Sequence, residues 1–223
     1  MFDTVRRVPD LTKQKRRSRF EARLLEAGAE DSHAAWGERK SAIIGAMRGT
    51  VVELGPGTGV NMRYYAAGTK VVAIEPNPVM HAPLQSAAAE YDVDLEIRQL
   101  DGHAVDLADE SADGIVGTLL LCGVDDPAQV LREAHRILKP GGVYFFIEHV
   151  ASPARTANRR VQRVLFRPHR WMFNGCEITR DTEASIRGGP FDAVEVDAVD
   201  RGRGALWVRH QIVGTAVKAA PHG

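Results

Sequence analysis

The sequence predicts an α/β protein: a doubly wound, mostly parallel sheet of seven strands, closed by an antiparallel hairpin. Three observations predict it. Short apolar runs alternate with helix-like segments from about residue 48 to 150, as in parallel strands joined by helices that cover both faces. Most of these runs are apolar throughout, as strands buried on both faces must be. Two last strand-like runs flank one Gly-rich turn, the pattern of a hairpin at a sheet edge.

The elements follow in chain order. Residues 1–47 are polar and helix-like, with a basic run, Lys13-Gln14-Lys15-Arg16-Arg17, and an amphipathic stretch through Phe20, Leu24 and Leu25. Standing ahead of the core, this segment is expected to fold over the bound ligand as a lid. Thr50 to Leu54, Lys70 to Ile74, Gly114 to Leu120 and Val143 to Ile147 are predicted as buried strands. Asp94 to Arg98 alternates and fits a strand nearer the edge. Between the fourth and fifth strands, Asp126 is the expected N-cap, Pro127 the first helical residue and Gln129 the partner in a capping box. Val130, Leu131, Ala134, Ile137 and Leu138 then form one apolar stripe, which Lys139-Pro140-Gly141-Gly142 ends. A helix is also predicted from Asn77-Pro78, with a kink or break at Pro83. Residues 151–189 form an insertion rich in Arg and aromatic residues, in which Thr179 is expected to cap a helix. Phe191 to Val199 and Ala205 to Ala216 form the closing hairpin, within residues 190–218.

With 223 residues, 44% of them hydrophobic, the chain can bury one core, so residues 1–223 are expected to be a single domain. The 29 basic and 29 acidic residues balance, which argues against a general nucleic-acid binder. The two cysteines, Cys122 and Cys176, form no CxxC and have no His at local metal spacing. Neither a disulfide framework nor a metal is therefore expected, and a reducing, cytoplasmic setting is. No apolar run approaches the roughly 20 residues that span a bilayer. Arg155, Arg159, Arg160, Arg163, Arg167 and Arg170, with the N-terminal basic run, read either as a solvated charged surface or as a peripheral contact with an anionic membrane or an acidic acceptor.

The chemistry is concentrated after the first strand, in Glu53-Leu54-Gly55-Pro56-Gly57-Thr58-Gly59, expected to lead into a helix. Its glycines allow a sharp turn and close approach to a ligand. A dinucleotide fingerprint would need a third glycine where Val60 stands. The acid two positions before Gly55 suits a cationic amino-acid tail better than a pyrophosphate. Glu75 ends the second strand, placed to accept from ribose hydroxyls, and Asp101 follows the third, placed to accept from an adenine amino group.

With the Leu138-Lys139-Pro140-Gly141-Gly142 turn, these residues resemble the class I S-adenosylmethionine-dependent methyltransferases, with their Rossmann-like sheet, over roughly Gly49 to Val150. The resemblance implies S-adenosylmethionine as cofactor. Its binding set would be Glu53, Gly55, Pro56, Gly57, Gly59 and Asn61 at the methionine end. Glu75, Pro76 and Asn77 would take the ribose, Asp101, Gly102 and His103 the adenine, and Leu119 would lie beside the cofactor. Thr118 to Cys122, Phe146 to Val150 and Phe173 to Arg180 further resemble the alkyl-thiol methyltransferases, whose acceptor is a small thiol and whose N-terminal hydrophobic anchor is not expected in this chain. A small-molecule acceptor is thus expected, a thiol first, with O- or N-methylation and a non-catalytic cofactor-binding subunit as alternatives. His149, past the fifth strand, is the candidate general base, with a pKa near working pH. Phe166, Trp171 and Phe173 are the expected acceptor wall.

Overall fold

A computed structural model describes residues 15–173, 175–202 and 204–220. Lys13 and Gln14 of the basic run lie outside the described residues. The chain forms one seven-stranded sheet in the order β3-β2-β1-β4-β5-β7-β6. The strands are β1 (Thr50–Leu54), β2 (Lys70–Ile74), β3 (Asp94–Arg98), β4 (Ala112–Thr118), β5 (Leu138–His149), β6 (Ala193–Asp200) and β7 (His210–Val217). The first five are parallel, and β7 runs antiparallel between β5 and β6. The strand order reverses between β1 and β4, so a crevice opens beyond their C-terminal ends, where open α/β sheets take ligands.

Successive residues of β1 enter different cores. Val52 packs with Val72, Ile115, Tyr144 and Phe146, beneath α4 (Pro127–Ile137). Val51 packs with Val71, Val116, Phe145 and Trp36, on the face covered by α2 (Ala29–Ile43) and α3 (Pro78–Glu90). This burial on both faces is why the strand runs are apolar throughout. α1 (Lys15–Ala27), α5 (Ala157–Met172) and α6 (Thr182–Arg187) complete the molecule.

The caps explain several boundaries. Asn77 accepts from Val79 N at the start of α3, and Asp126 accepts from Gln129 N at the start of α4. The expected capping box is not made: Gln129 donates instead to the His103 carbonyl, and the Asp126 N–H goes to His103 Nε2. α3 runs through Pro83 without the expected break; what proline removes is one bond to the first-turn carbonyl of Val79. Asp181, not Thr179, caps α6, accepting from Ala184 N.

Two other expectations are corrected. No α-helix follows the glycine loop; a turn and a 3-10 helix, Met62–Tyr64, do. Tyr64 and Tyr65 are buried there, and Asn61 is turned inward to Glu53. In the last run, Ala205 to Arg209 is not strand: Leu206–Val208 form a 3-10 turn that carries Trp207 and Val208 toward the crevice.

Candidate active site

The crevice is a cavity of about 550 Å³ at the C-terminal strand ends, within the usual size for small ligands. One wall is the glycine loop. Gly55 (φ 65°) and Gly57 (φ 57°) hold left-handed backbone that a side chain would strain. The Glu75 carboxylate accepts from Gly57 N at 3.0 Å and Asn77 N at 2.8 Å, locking loop and second strand end together. Burial raises its pKa against these two bonds. Asp101 holds His103 through its backbone N–H and its ring.

Ten residues of the expected cofactor set line this cavity: Gly55, Pro56, Gly57, Glu75, Pro76, Asn77, Asp101, Gly102, His103 and Leu119. Glu53, Gly59 and Asn61 stand behind it. Glu53 is fully buried and accepts from Asn61 Nδ2 at 2.7 Å and Tyr65 Oη at 2.8 Å. Burial raises its pKa, opposed by those bonds and by Lys40. Its task here is to fix Asn61, which also donates to Thr118 at 3.0 Å. Gly59 is a packing glycine, since a Cβ would lie 3.0 Å from both Leu84 and Ala87.

Among the described residues, Thr58 Oγ1 and Asn61 Oδ1 are buried with no hydrogen-bond partner, as polar atoms beside a ligand site are. Lys40 adds a cation to the cavity wall, its pKa lowered to about 8 chiefly by burial. Acceptor carboxylates, a cation and a glycine cradle together fit a cofactor with an amino-acid tail, a ribose and an amino-bearing base. Sequence reasoning missed Lys40, because a lysine in a polar helix carries no signal of its burial. α1 and α2 close the cavity through Glu21, Leu24, Leu25, Ser32 and Trp36, with Trp36 Nε1 bonded to Gln211 at 2.9 Å.

The other end of the cavity is apolar, with Leu119, Leu120, Val124, Phe173 and Val208. Leu119 holds φ 56°, unusual for a non-glycine residue. Its N–H bonds to the Ile147 carbonyl at 2.7 Å, and buried Glu148 accepts the next three backbone N–H groups, of Leu120, Leu121 and Cys122. Burial pushes the Glu148 pKa up to about 7. His149 lines this end, but its Nδ1 faces Cys122 Sγ at 3.8 Å and Cys176 Sγ at 3.5 Å. The expected acceptor wall is only partly assembled. Phe173 lines the cavity, whereas Phe166 and Trp171 border a separate shallow groove with Arg17, Arg167 and Arg170, and Trp171 is 67% exposed. Helical spacing explains Trp171, which leaves α5 opposite buried Gln162 and His169, whereas half-buried Phe166 lies on their side of the helix and still opens to the groove. Arg155, Arg160, Arg163, Arg167 and Arg170 are exposed. Among the described residues, no helix is long and apolar enough to cross a membrane.

Comparison with known proteins agrees with this geometry. The family described as "Methyltransferase domain" matches residues 52–146. The chain is 38% identical to thiol S-methyltransferase TMT1B of Rattus norvegicus over 172 residues, 76% of this chain and 70% of that protein. It is 33% identical to human thiol S-methyltransferase TMT1A over the same shares. A solved structure of a putative S-adenosyl-L-methionine-dependent methyltransferase from Methanococcus maripaludis shares the fold, with TM-score 0.63 and 18% identity, covering 100% of this chain and 99% of that one.

Proposed function

Because the chain belongs to the class I S-adenosylmethionine-dependent methyltransferases, we propose that it methylates the sulfur of a small, largely apolar thiol. The observation that carries this reading is the 38% identity with a thiol S-methyltransferase over three-quarters of the chain. The apolar end of the cavity supports it. Bound S-adenosylmethionine supplies an activated methyl sulfonium, so the protein's work is binding, alignment and exclusion of water.

In this reading Gly55 to Gly57 let the backbone approach the cofactor, and Lys40 meets the carboxylate of its methionyl end. Glu75 accepts from the ribose, and Asp101 with His103 borders the base. Glu53 and Asn61 hold the floor beneath them. Leu119, Leu120, Val124, Phe173 and Val208 desolvate the acceptor and direct it to the methyl group; alignment of this kind can supply about 7–11 kcal/mol in favourable cases. A thiol, with a pKa of about 8.5, is already partly ionised near neutrality. His149 lines the acceptor end with its Nδ1 turned to the two sulfurs, so a general-base role would fall to its Nε2. α1 and α2 act as the lid.

The test is transfer of labelled methyl from S-adenosylmethionine to a panel of small thiols, phenols and amines. Methyl thioether is the expected product. Transfer to phenols or amines alone overturns the thiol reading, and cofactor binding without transfer to any of them points to a binding subunit.

A further inference from the structure

Neither cysteine has a metal-spaced partner nearby along the chain, yet the fold gathers potential ligands from three separate segments. We propose that Cys122, His149 and Cys176 form a zinc site in the wall of the acceptor end, with one coordination position open to the cavity.

Cys122 Sγ lies 3.4 Å from Cys176 Sγ, and His149 Nδ1 lies 3.8 Å from the first sulfur and 3.5 Å from the second. All three atoms fall within 4.8 Å of one another, and all three residues are buried. Tetrahedral zinc, with Zn–S of about 2.3 Å and Zn–N of about 2.0–2.1 Å, needs edges of about 3.8 Å between sulfurs and about 3.5 Å from sulfur to nitrogen. The three observed edges lie within a few tenths of an ångström of these values. Two thiolates and one neutral imidazole would balance the charge of Zn²⁺, so the buried site is neutral once two cysteine protons have left to solvent.

The surroundings are built to hold this arrangement. Glu148 fixes the Cys122 N–H, and Glu177 N donates to the Cys122 carbonyl at 2.6 Å, tying the two cysteine segments together. Arg180 clamps the same turn through the carbonyls of Leu121 and Val124, at 2.5 and 2.6 Å. Gly175, at φ 102°, passes so near Gly123 that a Cβ would lie 2.9 Å from its carbonyl oxygen. Only glycine lets the segments close to this distance. His169 completes the shell without being a ligand. Its Nδ1 accepts from Trp207 Nε1 at 3.3 Å, which leaves the proton on Nε2, buried and without a hydrogen-bond partner among the described residues. This N–H would serve a metal-bound thiolate at neighbouring Cys176, as outer-shell donors do.

Three protein ligands are the pattern of zinc sites that keep a position for substrate. His149 and Cys176 line the cavity, while Cys122 lies behind them. The open position therefore faces the acceptor, and a thiol that coordinates there gives its proton to solvent and presents a thiolate. This second part rests on the thiol reading; metal binding does not.

The experiment begins with elemental analysis of the full chain purified without chelator and dialysed against zinc. About one zinc per chain is expected. Cobalt exchanged into the site should give the intense sulfur-to-metal charge-transfer bands of a tetrahedral thiolate centre. Cys176→Ser and His149→Gln should each lower zinc at least tenfold, with calorimetric binding of S-adenosylhomocysteine as the check that each variant is folded. Wild-type protein that takes up neither zinc nor cobalt overturns the site, whatever the variants do. Where the ion binds, a thiol acceptor should shift the cobalt spectrum, and an unchanged spectrum overturns the open position. Zinc binding with no methylated thiol in the panel sinks the thiol reading alone.

Discussion

Replacing Lys40 with methionine separates what this residue does for binding from what it does to the fold. Its side chain is buried, donating a 3.4 Å bond to Ser32 Oγ, with the ammonium 5.4 Å from the Tyr64 ring centroid. Burial is the main cause that lowers its pKa from 10.5 to about 8, against the attraction of Glu53. That drop corresponds to about 3 kcal/mol for holding the charged form in the folded protein at neutral pH. Lys40→Met should therefore raise the stability of the cofactor-free protein at pH 7, by up to about 3 kcal/mol. The sign follows from proton binding. Between pH 8 and 10.5 the unfolded chain keeps a proton that the folded one has released, so the wild type gains stability as pH rises through this window and the variant does not. Cofactor binding should move the other way. Losing one charge-assisted hydrogen bond, worth about 1.5–3 kcal/mol, weakens S-adenosylhomocysteine about 10- to 100-fold. The assays are urea unfolding at pH 7 and pH 10, and calorimetry with the product. A variant less stable at pH 7 that binds with unchanged affinity would refute the reasoning on both counts.

Three further outcomes are expected. Glu75→Gln turns an amide NH₂ toward the N–H of Gly57 or Asn77 and removes a charged acceptor; product affinity measured by calorimetry should fall about 10- to 100-fold, and wild-type affinity would mean that Glu75 does not touch the ligand. Gly59→Ala forces a side chain into φ 86° and against Leu84 and Ala87, so chemical denaturation should show a loss of about 1–3 kcal/mol, and an unchanged midpoint would disprove the packing role. Removing residues through Ala27 deletes α1 but keeps Trp36 in its core. The truncated chain should stay folded by circular dichroism and release product about tenfold faster in stopped flow, given that differences in affinity are expressed mostly in dissociation. An unaltered rate would show that α1 is no lid.

Much of the fold was legible because its signals are local. The apolar strand runs needed burial on both faces, and Asn77-Pro78 and Asp126-Pro127 mark helix starts by the chemistry of the first turn. Where a side chain had a better distant partner, local reasoning failed: Gln129 left its capping box for His103, and Asn61 turned inward to Glu53. In the cofactor half of the site, Gly55, Gly57, Glu75 and Asp101 could be named because each sits at a strand end, where position along the chain already implies position in the crevice. Phe166 and Trp171 could not be placed, because which face of α5 meets the cavity depends on how the helix docks.

By itself, then, the sequence determined the strand and helix pattern, the glycine loop and the family, all of which are written in residues close together in the chain. Only the tertiary structure decided that Lys40 is a buried cation, that Glu53 stands behind the cavity, and that Cys122, His149 and Cys176 meet. Those facts depend on contacts between segments tens of residues apart. Such contacts exist only once the sheet has brought the strand ends together and α2 and α5 have closed over them.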